Sequence, residues 1–243
     1  MNKKFTGAKF VLSLVTVASL VVLPALAVDD WIATGKLDGT PHDLGALGVS
    51  GTNGEICVFC HTPHGAQSAF DGAPLWNKAD ANASSFTMYG ATIGGTAQAA
   101  EPSSSSLACL SCHDGVSAID SIVNAPGSGL NSITGTQKLD GTGGYTLVND
   151  NAIIGTTLVN DHPVSIDYTD GRASLKDSTE AGTVLVGWVG ATDVEDLLRD
   201  GKVECGSCHD PHNGYAPDQN GTQVNYLRYT NANSALCLGC HDK

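Results

Sequence analysis

Aromatic side chains are scarce in this chain: Phe, Tyr and Trp together make 6% of its 243 residues. Methionine is scarcer, with only Met88 besides the initiator. Positive charge is also short, 12 Lys and Arg against 25 Asp and Glu, for a net charge of −13. Long amphipathic periods are missing. After residue 27 no stretch approaches the roughly 20 apolar residues that a spanning helix needs. The acidic balance argues against nucleic acid and anionic membranes as partners and suits solubility and cationic partners. The missing periodicity and few aromatics exclude an ordinary close-packed bundle or doubly wound domain. Gly, Ser, Thr, Asn and Asp fill the gaps, so the chain reads as mostly irregular and loop-rich. A short helix is expected at Asp193–Arg199, with short strands near Ala152–Thr157 and Thr183–Val189.

The one long apolar run lies at the start. Lys3, Lys4 and Lys9 precede it, it extends from Phe10 to Leu23, and Ala25-Leu26-Ala27 follows Pro24 as a small-residue cleavage site. This is the pattern of a secretory signal peptide, residues 1–27. Cleavage leaves residues 28–243, 216 residues in all, and loss of three lysines takes the net charge from −13 to −16. The expected location is outside the cytoplasm, at the cell surface or extracellular, with the periplasm as the alternative.

Eight cysteines in an exported chain suggest four disulfides, but their spacing argues otherwise. They fall as Cys57/Cys60, Cys109/Cys112, Cys205/Cys208 and Cys237/Cys240, and each pair is followed at once by histidine: His61, His113, His209 and His241. The strings CVFCH, CLSCH, CGSCH and CLGCH are the C-x-x-C-H attachment site of c-type haem. Two thiols form thioethers with the vinyl groups, and the next residue supplies the proximal imidazole. Zinc ribbons also pair C-x-x-C units but do not need histidine after each. Four covalently attached haem c groups are expected, and the fold becomes a loop-rich wrapping, with short helices and a few short strands, around a row of four stacked haems.

Four histidines remain: His42, His64, His162 and His212. Four haems need four sixth ligands, so the count matches. Methionine is the usual alternative ligand, and Met88 is read as packing. His64 follows His61 by three residues. Two imidazoles on opposite faces of one iron put their Cα atoms roughly 13 Å apart, and three extended residues span at most about 10–11 Å. His64 is therefore expected to reach a different iron, and the same holds for His212 after His209.

The chain repeats itself. CVFCHTPHG at 57–65 matches CGSCHDPHNG at 205–214, and SLACLSCHD at 106–114 matches SALCLGCHD at 234–242. This reads as two dihaem modules, about 28–125 and 150–243. The simplest pairing gives His64 to the haem on Cys109 and Cys112, and His212 to the haem on Cys237 and Cys240. His42 then serves the first haem and His162 the third. Strings such as DGTGG lack the EF-hand spacing for calcium.

The export signal, the four motifs, CHTPH, VECGSCHDPH and HPVS together resemble multihaem c-type cytochromes of metal-respiring bacteria, nearest the OmcE-type tetrahaem outer-surface cytochromes. That resemblance implies head-to-tail homopolymers, extracellular filaments carrying electrons over long range to external acceptors and other redox proteins. It also implies that His42, 15 residues into the mature chain, can complete a haem of the next subunit. A monomeric electron shuttle uses the same motifs and stays open as the alternative. A multihaem reductase needs an open iron, which the ligand count does not leave, so no enzyme activity is expected. A zinc scaffold is the remaining alternative.

Overall fold

The computed structural model describes residues 37–45, 49–50, 55–67, 73–78, 81–117, 119, 122–124, 134–135, 152–179, 185–213 and 226–242, apart from 39, 91 and 95. Gly35–Lys243 forms one compact unit. The expected signal peptide lies outside the described residues. Among the described residues no helix is long and apolar enough to cross a membrane.

Regular structure is sparse and short. The strands are two residues each: β1 (Val49–Ser50), β2 (Thr92–Ile93), β3 (Thr96–Ala97), β4 (Thr134–Gly135), β5 (Ile166–Asp167) and β6 (Lys202–Val203). They form three antiparallel pairs, β1–β4, β2–β3 and β5–β6. Among the described residues the one helix longer than a turn is α1 (Ser104–His113), and α2 (Cys205–Cys208) is a single turn packed against it.

The sequence passes over α1, because SSSSLACLSCH has neither strong propensity nor a clean apolar stripe. Its start is nonetheless defined. Ser103 holds an extended backbone as N-cap and follows Pro102, which cannot continue a helix backwards. Its end is fixed by Gly115, whose φ of +71° is the left-handed stop that glycine adopts without strain.

Both expected strands are absent among the described residues. Residues 152–157 hold one parallel bridge, Thr87 to Thr157, and the left-handed Gly155 ends any extension. Residues 185–190 turn at the left-handed Gly187 and Gly190. The helix expected at Asp193–Arg199 shrinks to a 3-10 turn, Glu195–Leu197, since the Asp196 carboxylate accepts from the Thr192 N–H and hydroxyl and favours a tight turn over continuation.

Apolar packing is divided among small clusters. Leu44, Val58, Phe59 and Ile119 make one, against Cys60. Ala81, Phe86, Met88, Leu110 and Leu158 make another, which places Met88 in packing. Ala73, Trp76 and Ala108 make a third, again touching Cys60. Leu185, Ala191 and Leu197 make a fourth, against Trp188 and Cys240. Cysteines thus border three of these clusters.

Candidate haem sites

Each C-x-x-C-H string folds as one helical turn. In CVFCH the Cys60 and His61 N–H groups both donate to the Cys57 carbonyl, at 3.1 and 2.8 Å. In CLGCH, Cys240 and His241 do the same to Cys237, at 3.2 and 2.9 Å. CGSCH is α2, closed by His209 N–H to the Cys205 carbonyl at 3.1 Å, and CLSCH is the last turn of α1. On a helical turn, positions i, i+3 and i+4 share a face. The spacing therefore turns two thiols and one imidazole to the same side. None of the eight cysteines is cross-linked to another.

The imidazoles come together in twos. The rings of His61 and His212 have centres 6.1 Å apart, 21° from parallel. His42 and His113 are 6.2 Å apart at 62°, and His162 and His241 are 6.3 Å apart at 66°. With metal–imidazole bonds of about 2 Å and each ring centre about 1 Å behind its nitrogen, two imidazoles across one metal ion have centres about 6 Å apart. All three spacings fit one iron between two rings. Every pair joins a C-x-x-C-H histidine to one of the four others.

Hydrogen bonds set the tautomers. Nδ1 of His61 faces the Pro74 carbonyl at 2.7 Å, that of His113 faces Ala152 at 2.7 Å, that of His162 faces Pro163 at 3.0 Å, and that of His42 faces Pro211 at 3.2 Å. A proton held at Nδ1 leaves the Nε2 lone pair for a metal. His241 Nδ1 is buried with no partner. Burial, opposed by the Pro211 bond and helped by His113, His212 and His209, lowers the His42 pKa to about 4, so its ring is neutral at pH 7, as a metal ligand must be.

The ring neighbours in the structure differ from the expected ligand partners. His42 meets His113 and not His61. His212 meets His61 and not His241. His162 meets His241 and not His209. His64 is consequently not the partner of His113. The sequence reading assumed that each half folds upon itself, but α1 of the first half packs on α2 of the second, and the turn at 40–43 lies on the second half. His42 stacks on Tyr226 with ring centres 4.1 Å apart, and its N–H donates to the Tyr226 hydroxyl at 2.9 Å.

The thiols neighbour one another in chain order. Burial pushes Cys60 up to about 12, with the charge of Cys112 adding to it. Cys109 is raised chiefly by its hydrogen bond to Cys205, which is lowered by that same bond. Burial raises Cys208, and Cys205 and Cys237 add to it. The first site thus adjoins the second, the second the third, and the third the fourth.

A family described as the doubled CXXCH motif matches residues 198–243, which hold CGSCH and CLGCH. The chain carries the paired motif of multihaem c-type cytochromes. C-x-x-C-H motifs of this kind indicate covalent haem c binding, and electron transfer is the general task of proteins built on them. No curated protein matches the chain.

Sequence reasoning missed the residues that buckle these sites in place. Buried Arg228 donates from Nε to the Gly206 carbonyl and from Nη1 to Val189, both at 2.7 Å. It also lies 3.9 Å from buried Asp210. Burial works to raise the Asp210 carboxyl, but the His212 hydrogen bonds and the Arg228 charge hold it below its usual value. Trp188 stacks on Tyr229, 5.3 Å between centres and 6° from parallel, directly over Gly239. A Cβ on Gly239 would clash with the Trp188 ring at Cζ2. Gly239→Ala is therefore expected to lower stability by about 1–3 kcal/mol through overpacking and to disturb the Trp188–Tyr229 stack. Thermal unfolding and near-ultraviolet dichroism check this; an unchanged transition and spectrum refute it.

Proposed function

We propose that this chain is a tetrahaem electron-transfer cytochrome with histidine at both axial positions of every iron. The observation that carries it is the set of three imidazole pairs with ring centres 6.1–6.3 Å apart. Cys57 and Cys60 hold the first haem, ligated by His61 and His212. Cys109 and Cys112 hold the second, with His113 and His42. Cys237 and Cys240 hold the fourth, with His241 and His162. By elimination Cys205 and Cys208 hold the third, with His209 and His64. The bound groups supply one-electron exchange between neighbours. The chain's part is to fix ligand identity, spacing and exposure. With both faces ligated no open iron is left for a substrate, which favours a conduit over a reductase.

The ring angles make this testable. Nearly parallel imidazole planes split the iron π-type d orbitals, whereas crossed planes leave them close in energy. The oxidised protein is expected to show only six-coordinate low-spin iron, with a rhombic paramagnetic resonance signal from the first haem and strongly anisotropic signals from the second and fourth. A large high-spin fraction, or a single signal class for all sites, counts against the assignment.

Export and the extracellular filament remain part of this proposal through the family resemblance. With His42 turned onto His113 of its own chain, a filament of such subunits is joined by contacts other than His42 ligation. Electron micrographs of His42→Ala test this. Polymers are expected to persist if wild type forms them, and their loss restores the ligand to the joint. Wild-type protein that is monomeric at all concentrations supports the shuttle.

A further inference from the structure

Two ionisable side chains are more deeply buried than their charge normally permits: Lys78 and Glu204 are each 2% exposed. Buried Lys and Glu are rare without a reason, and both sit at junctions between attachment sites.

Glu204 immediately precedes Cys205. One carboxylate oxygen accepts from the Ser103 hydroxyl at 2.5 Å, and the other accepts from Ser165 at 3.1 Å and, closely, from Ser106. Ser106 in turn accepts from the Cys205 N–H at 3.2 Å and stands one turn before Cys109 on α1. The carboxylate therefore lies between the second and third sites. Three hydroxyls aimed at one carboxyl are the donor set of an ionised acceptor, and the 2.5 Å contact has the length of a charge-assisted O–H···O⁻ bond. None of the ion pairs among the described residues involves Glu204. Arg199 and Lys202 line the same cavity as Glu204, but Lys202 is held by Asp167 and Arg199 Nη1 donates to the Asp196 and Leu198 carbonyls. The HPVS string has a reason here. Ser165 is fully buried with a φ of +57°, a left-handed conformation that non-glycine residues seldom adopt, and its hydroxyl meets Glu204.

Lys78 lies between the first and second sites. Its Nζ donates to the Ile119 carbonyl at 2.9 Å, and the preceding Asn77 N–H donates to the Cys60 carbonyl at 2.8 Å. Trp76, two residues before it, shares a cluster with Ala108 of α1 against Cys60, which brings the second attachment site alongside the first.

Resting on the tetrahaem reading, we infer that these two buried charges bias the electron path: Lys78 raises the reduction potential at the first and second sites, and Glu204 lowers it at the second and third. Adding an electron adds negative charge, which a nearby ammonium favours and a nearby carboxylate opposes. Burial matters because exposed charges are screened by salt and buried ones much less. At an effective dielectric of about 20, a unit charge about 10 Å from a redox centre changes its equilibrium by roughly tenfold, which is about 59 mV for one electron. The first site is thereby the better resting place for an electron and the third the poorer, while the two effects oppose each other at the second.

The test uses the full chain with its haems attached. Glu204→Gln keeps the size and most of the hydrogen bonds and removes the charge; Lys78→Gln removes the cation with a shorter polar side chain. Mass spectrometry and the visible spectrum first establish four attached low-spin haems. Redox titration followed by paramagnetic NMR then reads each site. E204Q is expected to raise the potentials of the second and third sites by about tenfold in equilibrium constant, and K78Q to lower those of the first and second by a similar factor. Wild type lacking four haems overturns the tetrahaem reading. Four haems with potentials unmoved in either variant overturns the bias alone. Should E204Q not assemble, K78Q decides, and an unmoved or rising potential there sinks the inference.

Discussion

A chain carrying Cys109→Ala and Cys112→Ala together is expected to lose its folded state, with a cost of about 5 kcal/mol or more, comparable to the whole stability of a typical domain. The packing explains why. The apolar clusters are small and separate, and the one sizeable helix, α1, is the segment whose last turn bears this site. Leu110 is 1% exposed between the two cysteines, so removing the attached group opens the packing beside it. The imidazole pairs also join distant segments: His113 to His42, 71 residues away, and His61 to His212, 151 residues away. Closing a loop of that length costs about 4 kcal/mol of chain entropy, which two facing imidazoles do not repay without a metal between them. Structural metal sites behave this way, apo unfolded and holo folded. Far-ultraviolet dichroism and limited proteolysis check it, and a cooperative thermal transition in the haem-free protein refutes it.

His212→Met is expected to alter the haem on Cys57 and Cys60, in the other half of the chain, and to spare the haem on Cys237 and Cys240. His212 and His61 are the near-parallel pair, so the rhombic resonance signal is the one that disappears. Methionine substitution also moves the potential upward, as methionine ligation does in cytochromes c. If the rhombic signal survives and an anisotropic one is lost, the cross-half pairing is wrong and the pairing within repeats is restored.

The comparison of sequence with structure turns on what kind of information each feature carries. The four C-x-x-C-H strings were legible because the chemistry is local: one helical turn suffices to gather two thiols and an imidazole. The inference that His64 cannot share an iron with His61 was also local, being a question of reach, and the structure sets His61 against His212. The partners themselves were not legible. They depend on α1 packing against α2 and on the 40–43 turn lying on Tyr226, contacts between segments more than 90 residues apart. The repeat invited a reading in which each half is self-contained, and nothing local contradicts it. The strand at 152–157 failed for a similar reason: its Ile and Thr residues suit a sheet, but its N–H groups are turned to the His113 carbonyl, which the Ile154 N–H meets at 2.9 Å. Glu204 and Ser165 were visible only as letters in VECGSC and HPVS, since their meaning lies in each other.

The pairing across halves has a consequence for the order in which the molecule can mature. Synthesis runs from the N-terminus. His42 is made before His113, and His162 before His241, so those two sites find their second imidazole already waiting. The first site does not. His61 precedes His212 by 151 residues, and until that later segment arrives a haem held there would lack its second imidazole. That interval is the period in which a wrong ligand can settle there, with His42 and His64 the histidines already at hand. On the proposed pairing the earliest site to be started is thus completed only after the second and third, and errors of assembly in this protein should accumulate there.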